Sequence, residues 1–256
     1  WAQCDSSYVA LAVLGIYLAL DDRPVLSMVC AALSFGFKLQ AVFILPVYAV
    51  LWMQGKFKWQ HFLVFPAAYV VLVLPAVLLG RPFIETLTLY FNQTGSIGDG
   101  LNYNSPSVYS LFQYSLPEQY NELASRLGII AAFVYMAVLL LICFFNRRRI
   151  SDKAVLGAAL LFAIGIPFLL PHMHDRYFFA ADILSLILAF TAAEYFIAAV
   201  LVQFASLLGY HAYLKMRYLL LMDKGAAALI AALAVTSIFF YNSLCEKKKK
   251  KRKINA

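Results

Sequence analysis

Hydrophobic positions run along this chain in long unbroken blocks, separated by short polar or basic turns. Neither the two-residue alternation of a half-buried strand nor a single helical stripe dominates, so the blocks read as helices that are apolar on every side. A membrane span needs roughly 20 apolar residues, within a range of about 17 to 25. On that measure the pattern predicts an all-α polytopic fold with about nine transmembrane helices. The first covers 6–20 and ends at Asp21-Asp22-Arg23-Pro24. The second (25–37) and third (41–53) are short and meet at Lys38-Leu39-Gln40. Together they are too long for one span and short for two, which predicts a tilted or re-entrant pair, or one shortened by a cavity. The fourth (62–80) contains Pro66 and Pro75, both expected to kink it. The remaining spans are predicted over 128–145, 154–170, 178–193, 195–213 and 225–241, with the weakest boundary near Glu194.

One polar segment is long, residues 81–127. Its Gly, Asn, Ser and Pro content marks turns, and a loop of this length in a compact membrane protein is usually functional or disordered. Tyr90, Tyr103, Tyr109, Tyr114 and Tyr120 argue for order at an interface. Asp99, Glu118 and Glu122 read as solvated carboxylates, and Asn92-Gln93-Thr94 fits the glycosylation sequon, a frequent chance match.

Composition agrees with the pattern. The 256 residues are 63% hydrophobic and 13% charged, which excludes an ordinary soluble domain. Continuous apolar runs exclude the alternating segments of a membrane β-barrel. The net charge of +8 does not point to nucleic acid, because seven of the 21 basic residues form one run, Lys247 to Lys253, directly after a span. That run reads as a cytoplasmic anchor at anionic headgroups. Cys4, Cys30, Cys143 and Cys245 are scattered, with no spacing for a disulfide framework or a zinc site.

With the basic tail (245–256) placed in the cytoplasm, alternation puts Arg147, Arg148, Arg149, Lys153, Lys56, Lys58 and Arg23 inside. Lys215 and Arg217 fall outside, against the rule. Asp5, Lys38, loop 81–127 and the stretch 171–179 all fall on the external side. The chain reads as a single transmembrane domain over 1–256. It starts with Trp1 at the approach to a span, and is expected to be the C-terminal portion of a longer protein.

The candidate chemistry is concentrated in Pro171-His172-Met173-His174-Asp175-Arg176-Tyr177. Ionisable groups are expensive near a bilayer core and usually serve a function there. His172 and His174 face one way if the backbone is extended after Pro171. Arg176 forks onto phosphate oxygens, and a histidine adds a second donor or a proton. The blander reading is a boundary cluster that caps helix ends. No cofactor is firmly implied; a divalent cation on His172, His174 and Asp175 is the one the pattern leaves room for, without a second ligand group at the usual spacing. Lys38 suits a phosphate and Gln40 a hydroxyl, against simple snorkelling by Lys38. Asp5 reads first as a helix N-cap and second, with Gln3, as a substrate contact.

Trp1-x-Gln3-x-Asp5-Ser6, Phe37-Lys38-x-Gln40 and Met173-His174-Asp175-Arg176-Tyr177-Phe178 resemble motifs of bacterial polytopic glycosyltransferases of the GT-C fold class. Members often read W-G-Q-x-D-S, F-K-x-Q and M-H-E-R-Y in this order, and the His-Asp-Arg also looks like the His-Glu-Lys of dolichol-linked glucosyltransferases. Ala2 and Asp175 depart mildly from the usual Gly and Glu. The resemblance implies a hexosyltransferase of the cell envelope, mannosyl- or glucosyltransferase-like. It would take a sugar from a polyprenyl-phosphate carrier and pass it to a glycan, lipid or protein acceptor outside the bacterial cytoplasmic membrane. It further implies that His172, His174, Arg176 and Lys38 hold the lipid-linked phosphate, and that Asp175, Tyr177, Gln40, Gln3 and Asp5 support the site or contact substrate. The catalytic carboxylate would lie upstream, so this portion alone is expected to be inactive. Two alternatives stand beside it. An O-antigen-type polymerase or ligase would need basic residues within its long loop, whereas Arg81 and Arg126 lie only at the edges. A transporter or flippase would show inverted repeats and midplane charges.

Overall fold

The structure is a computed structural model. It describes residues 4–90, 100–112 and 115–254, with the backbone alone for 246–254. The chain is 79% helical with almost no strand, which places it in the all-α class. Five stretches among the described residues are long and apolar enough to cross a membrane: Trp59–Leu78, Glu118–Phe145, Asp152–Leu169, Ala193–Lys215 and Met222–Cys245. This is the signature of an integral membrane protein. The backbone divides into two compact units, Trp1–Asp99 and Gly100–Ala256, at a point inside the polar segment.

The first unit opens with an antiparallel hairpin of α1 (Asp5–Leu20) and α2 (Pro24–Phe37). Pro24 sits at the first helical position, where its missing N–H costs nothing. Small and hydroxylated residues let the pair approach closely: Ser34 Oγ donates to Tyr8 O (2.7 Å) and Ser27 Oγ to Gly15 O (2.6 Å). The third predicted span is not one helix. A 3-10 turn (Leu39–Phe43) precedes α3 (Val47–Gln54), because Pro46 cannot continue a backbone ladder. Gly55, at φ 97, closes α3 in the left-handed region that glycine adopts freely. α4 (Val64–Leu78) takes Pro66 in its first turn, where no backbone bond is lost, so only Pro75 lies inside the helix. A short α5 (Phe83–Leu87) follows.

In the second unit the chain runs up and down through five helices: α6 (Asn121–Phe145), α7 (Asp152–Leu169), α8 (Phe179–Thr191), α9 (Phe196–Lys215) and α10 (Met222–Ile254). α7 is central. Nearly its whole length is buried, as expected for a helix apolar all round. Gly157, near its start, packs on Phe240 late in α10, and Ser110 Oγ donates to Met222 O (3.3 Å) at the start of α10. α7 and α10 are therefore antiparallel. Gly165 leaves room for the ring of Tyr135, whose Oη donates to Leu161 O (2.9 Å) across α6 and α7.

Two sequence boundaries move and a third holds. α6 starts at Asn121, inside the predicted loop, where Tyr109 Oη holds its first turn through Ala124 O (3.1 Å). Burial pushes the Tyr109 phenol up to about 12, so it stays a donor. α10 continues through the basic run to Ile254 instead of ending at 241. Near Glu194 the chain does break: Ala192 is extended (φ −152), a 3-10 turn Ala193–Tyr195 follows, and Lys153 pairs with Glu194.

Candidate functional site

Between α7 and α8 the chain makes a short connection, 170–178, at one end of the second unit. Burial alternates along it: Pro171, Met173 and Asp175 are buried, while His172, His174 and Arg176 are half-buried. Met173–His174 forms a two-residue strand, β2, paired in parallel with β1 (Asn102–Tyr103) from the polar segment. His172 N donates to Leu101 O (2.8 Å) and Asp175 N to Tyr103 O (3.0 Å), extending the pairing on both sides.

The local sequence of the polar segment explains its shape. Asn102 bridges the turn with both side-chain atoms, accepting from Ser105 N (3.1 Å) and donating to Ser105 O (2.9 Å). Asn104 takes φ 55, a left-handed value that asparagine tolerates. Tyr218 Oη, beyond the end of α9, donates to Asn104 Oδ1 (2.6 Å). Gly209 of α9 faces the same turn; a Cβ there would lie 3.1 Å from Asn104 O and 3.3 Å from Asp175 O. The cluster is thus held between a folded loop and α9.

Each candidate residue has a defined place. His172 sits at φ 61, so the extended backbone expected directly after Pro171 begins one residue later, at Met173. Its Nδ1 lies 2.8 Å from Gly100 O and its Nε2 3.5 Å from Ser125 Oγ, which ties the loop and α6 to the connection. The His174 ring stacks on Tyr103, with centroids 4.7 Å apart at 14°, and meets Tyr177 edge-on at 5.2 Å. Asp175 is 1% exposed, and its Oδ1 lies 3.7 Å from Arg176 Nη1. The Arg176 guanidinium also lies 5.8 Å from the Tyr177 ring centroid. The buried carboxylate beside a half-buried guanidinium restrains the guanidinium at this connection.

In the first unit, Asp5 and Lys38 form an ion pair at 2.5 Å with both side chains mostly buried. The N-cap reading of Asp5 is corrected: Cys4 occupies the cap position, and Asp5 is the first helical residue, its carboxylate drawn to Lys38 instead. Lys38 is extended (φ −158) where α2 stops, and Gln40 lies half-buried in the following 3-10 turn. Gln3, Asp99 and the sequon Asn92-Gln93-Thr94 lie outside the described residues. The structure therefore joins His172, His174, Asp175, Arg176 and Tyr177 in one unit, and Asp5 with Lys38 in the other.

Sequence reasoning did not single out Tyr103, Asn104, Ser125 and Gly209 as parts of the site; their roles depend on pairings distant in sequence. It also passed over Asp182, 4% exposed in α8, which accepts from Tyr210 Oη at 2.6 Å. A lone carboxylate inside an apolar run was the signal for it. Among the described residues, no group of three His, Cys, Asp or Glu is arranged to hold a metal ion. No protein-family model, curated protein or solved structure matches the chain.

Proposed function

We propose that the chain belongs to a membrane glycosyltransferase that moves a sugar from a polyprenyl-phosphate carrier to an acceptor at the external face of a bacterial cytoplasmic membrane. In this reading the chain makes about nine spans, the end of the second unit that carries the cluster faces outward, and the C-terminus is cytoplasmic. The observation that carries it is the placement of Arg176: half-buried at a helix-end connection, against the buried Asp175.

The reaction asks for such a group. The bond between the anomeric carbon and the phosphate oxygen breaks, and the phosphate leaves with the electron pair. The acceptor oxygen bonds to that carbon and loses its proton to a base. Charge grows on the departing phosphate, and a fixed cation in a partly dry site stabilises it as it grows. Arg176 binds that phosphate, and His174 donates to it from its stack on Tyr103. Asp175 and His172 position them, Asp175 through Arg176 and His172 through Gly100 and Ser125. No residue of the chain is assigned as the base. The resemblance gives Lys38 a cationic role as well, which Lys38→Ala tests separately.

The test is transfer from radiolabelled polyprenyl-phosphate sugars in membranes bearing the full-length protein. Arg176→Ala, at equal abundance, is expected to lower the rate about 100-fold or more. Arg176→Lys keeps the charge without the fork, and its rate falls in between. Equal product from the parent and Arg176→Ala would sink the assignment. A transporter reading has one observation in its favour, the buried Asp182–Tyr210 pair within the helices. Substrate movement without any glycosylated product would make that reading the better one.

A further inference from the structure

The opposite end of the second unit carries a different arrangement of charge. α6 closes at Phe145, where Asn146 N donates back to Ile142 O and Cys143 O and Asn146 Nδ2 to Ile142 O. Arg147–Arg149 then form a single 3-10 turn, with Arg149 N donating to Asn146 O at 2.7 Å. Phe144, Phe145, Asn146 and the three arginines line a cleft of about 320 Å³. The Arg147 guanidinium stands 4.7 Å over the Phe144 ring, and Arg149 Nη1 donates to Asn146 Oδ1 at 3.3 Å. Among the described residues, none of the three guanidiniums pairs with a carboxylate. Three like charges within one turn repel one another, and an anion in the cleft relieves that repulsion.

A second observation says which anion. Leu127, Ile130, Val134, Val138, Leu141 and Phe145 are all exposed, with Phe145 79% so. Their spacing of three and four residues puts them on one face of α6. This stripe runs along the helix and ends at the cleft, so an apolar chain laid on it brings its polar head to the arginines. A free phosphate uses the cleft alone; a phospholipid uses both.

We propose that the turn Arg147–Arg149 binds the headgroup phosphate of an anionic phospholipid whose acyl chain lies along the exposed stripe of α6. A zwitterionic headgroup carries its own cation, which the three arginines repel. The site therefore selects phosphatidylglycerol-type lipid over phosphatidylcholine. It depends only on α6 lying in a bilayer and is independent of the reaction proposed above.

The probe is a Phe145→Trp reporter in the full chain, with Trp1, Trp52 and Trp59 changed to phenylalanine. The protein is reconstituted into phosphatidylcholine vesicles containing increasing brominated phosphatidylglycerol or, in a parallel series, brominated phosphatidylcholine. Quenching is expected to favour phosphatidylglycerol at least about fivefold, the factor for one basic residue at an anionic surface. Changing all three arginines to glutamine should abolish the preference while brominated phosphatidylcholine still quenches, which shows that α6 remains inserted. Arg148→Gln alone should weaken it in the same direction. Neutralising Lys247 to Lys253 should leave it in place. Equal quenching by the two lipids would overturn the proposal, as would a preference that survives the triple change or vanishes with the lysine run. Loss of the preference on adding millimolar inorganic phosphate would overturn it too, by showing that the cleft takes a free anion.

Discussion

Asp182 shows what one buried carboxylate does in an apolar helix bundle. It lies one turn into α8, and Tyr210 Oη reaches it from α9 at 2.6 Å, while Gln203 Nε2 takes its backbone oxygen at 3.0 Å. Two helices are stitched together by side chains that would otherwise be orphaned away from water. Tyr210→Phe removes a donor and leaves a buried acceptor unmet, a loss of about 1–3 kcal/mol. It should appear as a lower midpoint in thermal unfolding of the detergent-solubilised protein. Asp182→Asn keeps an acceptor for Tyr210 and should lose less than Asp182→Leu. If Tyr210→Phe and Asp182→Leu both unfold at the parent's temperature, the pair does not stabilise the bundle, and its burial would have to be read through function. The carboxylate was legible in the sequence as the single acid of its apolar run. Its partner was not, because nothing in a helix pattern marks which of two tyrosines turns toward a neighbour.

At the scale of elements, the candidate site is made by the meeting of a loop, a connection and one helix face. The connection 170–178 could be read from its proline and its crowded ionisable residues, and so could the turn chemistry of Asn102 to Pro106. Their pairing could not, since His172 meets Gly100 from 72 residues away and the strands are only two residues long. Such short ladders carry no period to detect. Gly209 is the point where α9 closes on this assembly, and the atoms that a side chain would strike there are backbone and cannot swing aside. Gly209→Leu is therefore expected to displace the loop from α9. Transfer should fall at least about tenfold, the scale of a small misplacement of positioned groups, with helix content by circular dichroism unchanged. Gly55→Ala, at a turn of the first unit where a Cβ meets nothing, serves as a comparison: its cost is confined to a strained left-handed backbone. Full transfer by Gly209→Leu would mean that the loop does not need α9 to hold the cluster.

Across the second unit as a whole, the chemistry lies at one end and the basic turns at the other. The start of α6, the loop, the α7–α8 connection and residues 216–222 share the first end, as the bonds of Tyr109 to Ala124 and Leu169 and of Tyr218 to Asn104 require. Arg147–Arg149, the Lys153–Glu194 pair and the far end of α10 share the second. α7 joins the two ends with 18 residues, about 27 Å of helix, close to the thickness of a bilayer core. Lysine and arginine bias predicts that the Arg147–Arg149 end is cytoplasmic. Lys215 and Arg217 are exposed at the other end against the bias, as are Arg126 and Lys224, and α9 runs unbroken to Lys215, so no shift of that span removes the first two. The bias was readable in the sequence, but the coincidence of Arg147–Arg149 with the end of α10 depends on packing between helices distant in the chain. Single cysteines at Leu219 and Arg148, with the four native cysteines changed to serine, test the arrangement. A membrane-impermeant maleimide applied to intact cells should label Leu219→Cys and should reach Arg148→Cys only after permeabilisation. Labelling of both from outside would mean that the five helices do not separate two aqueous faces. The reverse order would keep the span and invert it, carrying the His172–Arg176 cluster to the cytoplasmic side and removing the external-face transferase from contention.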